Sequence, residues 1–354
     1  MQTFAAAIII LSLLLCIFNN SAAHTLRAAA LLAVSAALLC GCQGGFSSKE
    51  TEAKRISADI PQTGNTKRIP EKYFQKAKKQ GRVIDFTYET AEYACDKEKI
   101  SKKAYVYLPS GYKPKDKTAK YDIIYLMHGL GGRSGEFFDK NGGRLKDILD
   151  QMIERKKIAP LIAVSVSFYS PRSSKELAPS LKEVRAFHKE FVGDLMPAVE
   201  SEFRTYAASA SQKDLKASRA HRAFGGFSLG SVTTWLEFCY DSDYISCFLP
   251  MSGPCWYYNN YGDPNPTRTA DLLQKTVKRH NLKKRGYFIY AATGTADPLY
   301  SQIDYQMQEI LKRREFFTPD HLVYYLKPGG RHDFSAVEEY IFNALPIFFP
   351  PEQK

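Results

Sequence analysis

Apolar and polar positions change their spacing several times along the 354 residues of this chain. Two apolar stretches come first, residues 4–18 and 28–40, each shorter than the roughly 20 residues needed to span a bilayer as a helix. From residue 44 to about 79 the composition turns to Ser, Lys, Glu, Thr and Pro without apolar periodicity, the pattern of a solvated tether. Residues 82–90 and 103–108 then alternate apolar with polar, predicting half-buried strands near a sheet edge. Residues 122–127, 160–168, 244–251, 286–293 and 321–326 are short, apolar or aromatic runs, as strands buried on both faces should be. Val184, Phe187, Phe191, Leu195 and Val199 keep helical spacing, and residues 299–316 and 336–348 have the length of globular helices. Strands alternating with helices predict an α/β fold with a mostly parallel central sheet covered on both faces. The longest low-apolar interruption is 207–216.

This pattern divides the chain into a leader at 1–42, a flexible tether at 43–80 and one folded domain at 81–354. The second apolar stretch follows Arg27 and ends Leu39-Cys40-Gly41-Cys42, similar to a bacterial lipoprotein box in which a small residue precedes the lipidated cysteine. Cys42 is the lipidation candidate. An ordinary secretory signal is the other reading, and both export the protein, lipid-anchored to a bacterial membrane or else periplasmic or secreted. The first stretch lacks a basic start, so translation from nearer Leu26 is a further reading.

Composition removes several function classes. An apolar share of 44%, with 22 Phe and 22 Tyr, supplies a large core and excludes global disorder. The net charge is +12, but basic residues are scattered in short clusters such as Lys283, Lys284 and Arg285, without a nucleic-acid motif; no nucleic-acid partner is expected. The seven cysteines form no CxxC, which argues against a zinc ribbon or thioredoxin site. Cys95, Cys239, Cys247 and Cys255 in the body allow three complete pairings or free buried thiols, and that choice stays open.

A strand-like run at 221–224 leads into Gly226-Phe227-Ser228-Leu229-Gly230 and then an apolar helical run to Phe238. Strand, sharp turn and helix are the context a GxSxG nucleophile needs, with glycines where neighbouring backbone leaves no room for a Cβ. Alone the motif arises by chance in roughly one chain of this size in ten, so context decides. Upstream, strand 122–127 runs into His128-Gly129-Leu130-Gly131-Gly132, a glycine-rich loop where an oxyanion hole is built. The backbone N–H groups of Leu229 and Leu130 are the candidate donors, and His128 reads as a brace for the loop. Downstream, strand 286–293 leads to Asp297 and strand 321–326 to His332, in the order serine, acid, histidine. His332 is the candidate base and Asp297 its orienting acid; Asp333, adjacent to the histidine, is the weaker alternative. Trp256, in the apolar-aromatic run 252–258 after strand 244–251, is the candidate acyl-pocket anchor, unless those aromatics only close the core.

The run GFSLGSVTTW at 226–235, with Pro250-Met251-Ser252-Gly253, the segment from Ala292 to Asp297 and Pro328-Gly329-Gly330-Arg331-His332, resembles feruloyl esterases of carbohydrate esterase family one. The likeness extends from about Arg82 to Phe349. Tyr107-Leu108-Pro109-Ser110-Gly111-Tyr112 and the HGLGG loop are also similar to the esterase D and enterochelin esterase relatives. The resemblance implies an α/β-hydrolase fold, Ser228 as nucleophile, Asp297 as acid, His332 as base and donors at Leu229 and Leu130. It implies a cofactor-free, metal-free serine esterase that hydrolyses feruloyl or cinnamoyl esters of plant cell-wall polysaccharide through an acyl-enzyme. Acetyl xylan esterase, another carboxylesterase including a siderophore esterase, or a non-catalytic carbohydrate-binding surface protein are the alternatives; its partners would be feruloylated or acetylated plant polysaccharides. Two positions depart from the family pattern: the usual GFSMGG reads GFSLGS, and Arg331 replaces a small residue before the histidine.

Overall fold

A computed structural model describes residues 61–351 except 117, 140–142 and 260–263. The leader, Cys42 and the tether up to residue 60 lie outside the described residues. Among the described residues nine strands form one sheet: β1 (Thr63–Asn65), β2 (Arg82–Ala91), β3 (Lys99–Leu108), β4 (Asp122–Met127), β5 (Leu161–Val166), β6 (Arg222–Phe227), β7 (Cys247–Met251), β8 (Phe288–Gly294) and β9 (Leu322–Lys327). Their order is β1-β9-β8-β7-β6-β4-β5-β3-β2. The two strands read from alternation, β2 and β3, form the antiparallel edge, while the apolar runs are the parallel centre.

Side chains alternate across the sheet. On β4, Ile123, Tyr125 and Met127 enter one core, which is closed by the helices α2 (Leu177–Glu190), α5 (Leu229–Asp241), α6 (Pro266–Arg279) and α8 (Tyr300–Leu311). Ile124 and Leu126 enter the other, closed by α1 (Leu145–Glu154) and α9 (Phe334–Phe348). The apolar residues spaced from Val184 to Val199 all enter the first core, but the helix that carries them is not continuous, because a π turn at Phe191–Leu195 joins α2 to α3 (Met196–Glu202). Two short helices, α4 (Gln212–Ala217) and α7 (Leu282–Arg285), complete the set. The first of them occupies part of the low-apolar interruption, capped where the Ser211 hydroxyl accepts the Asp214 amide at 3.2 Å.

The expected tether needs correction over its last part. Residues 63–65 pair in parallel with β9, so the sheet gains a ninth strand from a segment with no strand-like alternation. Beyond it Ile69, Tyr73 and Ala77 are buried, and the Tyr73 ring meets Phe342 edge-on at 4.8 Å. Three apolar residues four apart, set among lysines and glutamates, suffice to dock the segment because backbone pairing with β9 supplies the rest.

The strand that leads to Ser228, β6, is anchored at its start. Arg222 is fully buried and forms two bonds to Glu200, at 2.5 and 2.7 Å, while its remaining donors reach the Leu215 and Tyr244 carbonyls and the Ser218 hydroxyl. Removing one partner would strand a buried charge, at a cost of about 3–5 kcal/mol.

Helix α5 contains the opposite case. Glu237 is fully buried, and its carboxyl meets that of Asp241, one turn on and also buried. Burial and the neighbouring Asp241 charge hold the Glu237 carboxyl well above the usual range, and burial raises Asp241 to about 7. Both are raised in the fold, so the native state holds more protons than the unfolded chain between about pH 4 and 7. Stability is fullest at the acidic end of that window and is lost as pH rises through it. Glu237→Gln is therefore expected to raise Tm at pH 8 by roughly 3–5 °C and to flatten the decline between pH 5 and 8. Thermal melts across that range check it, and an unchanged or steeper decline would contradict the assignment.

Candidate active site

Strands β4, β6, β7, β8 and β9 are neighbours in the parallel centre, so the loops at their carboxyl ends gather along one edge. Ser228 follows β6 with φ +59° and ψ −116°, a left-handed backbone that a non-glycine residue adopts only when its surroundings impose it. They do so here. The Ser228 N–H donates to the Met251 carbonyl at 3.0 Å, and the Ser228 carbonyl accepts the Ser231 and Val232 amides as α5 begins. A Cβ on Gly226 would lie 2.2 Å from the Gly230 oxygen, and one on Gly230 would lie 2.2 Å from the Met127 oxygen. Only glycine fits on either side of this turn.

His332 Nδ1 lies 2.8 Å from Asp297 Oδ2, and Asp297 Oδ1 accepts the Leu299 amide at 2.8 Å. The Asp297 side chain is fully buried and that of His332 is 26% exposed. Its ring packs on Phe227, the residue before the serine, with centroids 4.5 Å apart. The two loops are laced together: Gly329 N–H donates to the Thr295 hydroxyl at 2.8 Å and Ala296 N–H to the Gly330 carbonyl at 3.0 Å. Asp333 does other work, capping α9 by accepting the Ala336 amide at 3.0 Å. The exposed Arg331 makes no ion pair among the described residues.

Leu229 opens α5, where the first amides have no carbonyl one turn back. Leu130 sits in the loop after β4 beside Ser228: a Cβ on the adjacent Gly129 would come 3.0 Å from that of Ser228. The Leu130 side chain is 45% exposed. His128 braces this loop. Its Nδ1 lies 2.7 Å from the Gly129 carbonyl, which can only accept, so Nδ1 carries the proton and Nε2 accepts from the Ser167 hydroxyl at 2.7 Å. Burial lowers the His128 pKa to about 4, keeping it neutral.

Two supports were absent from the sequence reading. The Tyr169 hydroxyl accepts the Gly131 amide at 2.9 Å and stacks beside His128, fixing the loop from β5. Ser231, the departure from GFSMGG, is buried and donates to the Gly253 carbonyl at 2.7 Å, which also accepts the Trp235 indole N–H at 3.1 Å. The extra hydroxyl thus ties α5 to the loop after β7. Trp256, farther along that loop, is 7% exposed and packs in the larger core, with Arg185 gripping its carbonyl and that of Tyr257 at 2.7 and 2.9 Å. Among the described residues, one set of donor atoms is close enough for a metal ion, Glu92, Cys95 and Asp96, but Arg172 already supplies a cation to Glu92 and Asp96. No described helix is long and apolar enough to cross a membrane.

A strained serine between glycines, a histidine held by a buried aspartate and a braced glycine-rich loop are the parts of a hydrolase. The Esterase family model matches residues 99–340. This chain belongs to the Esterase family, and it is an esterase. It is similar to endo-1,4-beta-xylanase Y of Acetivibrio thermocellus, 34% identical over 285 residues, 79% of this chain and 24% of that protein. It is also similar to the endo-1,4-beta-xylanase/feruloyl esterase of Xylanibacter ruminicola, 30% identical over 167 residues, 47% of this chain and 21% of that protein. The esterase therefore spans about a quarter or less of these curated relatives. Among solved structures it is similar to a mutant of the feruloyl esterase module from Clostridium thermocellum complexed with sinapinate, 31% identical with a TM-score of 0.72, covering 84% of this chain and 98% of that one. A carbohydrate esterase family one ferulic acid esterase from Anaeromyces mucronatus, 19% identical with a TM-score of 0.60 over 81% of this chain and 97% of that one, shares the fold. The esterase has the α/β-hydrolase fold expected from its sequence.

Proposed function

We propose that this esterase is a serine enzyme that removes feruloyl and related cinnamoyl groups from plant cell-wall polysaccharide through an acyl-enzyme. The observation that carries the reading is its likeness, over 98% of that chain, to a feruloyl esterase module complexed with sinapinate, itself a hydroxycinnamate. In this mechanism Ser228 Oγ attacks the ester carbonyl while His332 Nε2 takes its proton, and Asp297 holds the Nδ1 proton and stabilises the imidazolium. The N–H groups of Leu229 and Leu130 bond the oxyanion, each worth about 3 kcal/mol in favourable cases. Its collapse breaks the bond to the sugar oxygen, which leaves with the proton from His332. Water then repeats the sequence, with His332 as base again, and releases the hydroxycinnamic acid.

The burial of Trp256 supports a second reading, an acetyl esterase, because a ring covered by its own core has little face left for a planar acyl group. A differential test separates the two. Trp256→Ala is expected to lower kcat/KM for methyl ferulate roughly tenfold, the equivalent of about 1.4 kcal/mol, while p-nitrophenyl acetate hydrolysis stays within about threefold. Equal losses on both substrates would assign Trp256 to the core alone.

The proposal includes export and a lipid tether on Cys42, on the strength of the leader pattern. Mass spectrometry of the mature N-terminus is expected to find acylated Cys42, and an unmodified start elsewhere would contradict it.

A further inference from the structure

Two clamps hold the peptide groups on either side of the Leu130 Cα. His128 Nδ1 donates to the Gly129 carbonyl at 2.7 Å, and that carbonyl shares its peptide group with the Leu130 N–H. The Tyr169 hydroxyl accepts the Gly131 amide at 2.9 Å, which belongs to the next peptide group. In a trans peptide the N–H points away from the C=O, so a bond that fixes the Gly129 oxygen also aims the Leu130 N–H the opposite way. Both clamps depend on the turn after β5. Ser167 Oγ donates to His128 Nε2 at 2.7 Å and accepts the Tyr169 amide at 3.0 Å, so one hydroxyl serves both.

Ser167 is held in turn by a buried charge. The pairing of β5 with β3 stops at Ser165 opposite Tyr105, and beyond it the Ser167 carbonyl accepts from Lys102 Nζ at 2.9 Å instead of from a strand. Lys102 lies on the face of β3 that Ala104 and Val106 turn into the first core, and its side chain is 4% exposed. Glu190, at the end of α2, accepts from Lys102 Nζ at 2.8 Å and from the Tyr88 hydroxyl at 2.6 Å. Apolar residues of like volume often replace such a pair at no cost in stability, so its use is sought in what the ammonium holds.

We propose that Lys102 and Ser167 are positioning residues for ester hydrolysis: the buried ammonium fixes the Ser167 carbonyl, and the Ser167 hydroxyl fixes His128, which aims the Leu130 N–H at the oxyanion. The assignment rests on the reading of Ser228 as nucleophile and Leu130 as donor. A donor that is present but misdirected weakens the transition state without loosening the bound ester, so the loss falls on kcat rather than KM.

Two variants of the full chain test it. Ser167→Ala removes the hydroxyl, and Lys102→Met/Glu190→Leu removes both charges together, stranding neither. Each is melted, assayed on methyl ferulate and p-nitrophenyl acetate, and titrated with an aryl trifluoromethyl ketone, whose adduct with a serine carries an oxyanion like that of the reaction. Ser167→Ala is expected to lower kcat roughly thirtyfold and the pair variant roughly tenfold on both esters, with KM within about threefold and Tm within about 5 °C of the parent. The ketone should bind each variant more weakly by about the factor lost in kcat, and Ser167→Thr, which restores the hydroxyl, should recover most of that loss. If Ser167→Ala does not fold, the pair variant decides alone. A folded variant with kcat within about threefold of the parent, or a loss carried by KM with ketone affinity unchanged, would overturn the assignment. A parent enzyme that the ketone does not inhibit would overturn the reading of Ser228 itself, and this assignment with it.

Discussion

Ser228→Ala is expected to lower kcat by roughly four to six orders of magnitude while leaving the melting temperature within a few degrees, since nucleophile and base act as a unit. The backbone reason for a folded variant is specific. The strained turn is held through the Ser228 amide and carbonyl and by close approaches at Gly226 and Gly230, none of which uses the hydroxyl. Steady-state kinetics on p-nitrophenyl acetate, beside a thermal melt, read both quantities. A variant retaining a tenth of the activity would remove Ser228 from the mechanism.

The second large effect distinguishes two neighbouring aspartates. Asp297→Asn is expected to cost roughly 10⁴-fold in kcat, because an amide can present a donor to His332 and favour the wrong imidazole tautomer. Asp333→Asn should stay within a few-fold of the parent enzyme. Asparagine also caps a helix, so the Ala336 amide keeps an acceptor. The reverse ranking would make Asp333 the acid and would leave the 2.8 Å contact between His332 and Asp297 without a catalytic role.

Much of this geometry could be read along the chain, for identifiable reasons. The buried parallel strands are short apolar runs whose limits moved by only a few residues, and the loops at their ends hold the glycines, Ser228, Asp297 and His332. Such a site is legible because each part follows its own strand. The supports are not legible in the same way. Tyr169 reaches Gly131 from the loop after the neighbouring strand β5, and nothing in the run Ser167-Phe168-Tyr169 marks that partner. β1 looks like tether in the sequence because its pairing depends on the backbone of β9 and leaves no alternation in Thr63-Gly64-Asn65. Helices α1 and α6 are faint in the sequence although both place apolar residues on one face, at Leu145, Ile148, Leu149 and Met152 in the first and Ala270, Leu273 and Val277 in the second. Their polar faces, rich in Lys, Asp, Arg and Gln, dilute the signal.

Trp256 shows the limit of reading chemistry from composition. An aromatic loop beside Ser228 fits an acyl pocket and a core plug equally, and the two differ in how Trp256→Ala divides its losses between substrates. The acyl group is therefore decided by hydrolysis. Purified enzyme should be assayed in parallel on methyl ferulate, methyl p-coumarate, acetylated xylan and p-nitrophenyl acetate, with kcat/KM taken for each soluble ester and product release measured for the polymer. A feruloyl esterase built as proposed hydrolyses methyl ferulate with the highest kcat/KM of the three soluble esters and releases little acetate from xylan; acetate release outpacing ferulate hydrolysis would contradict it.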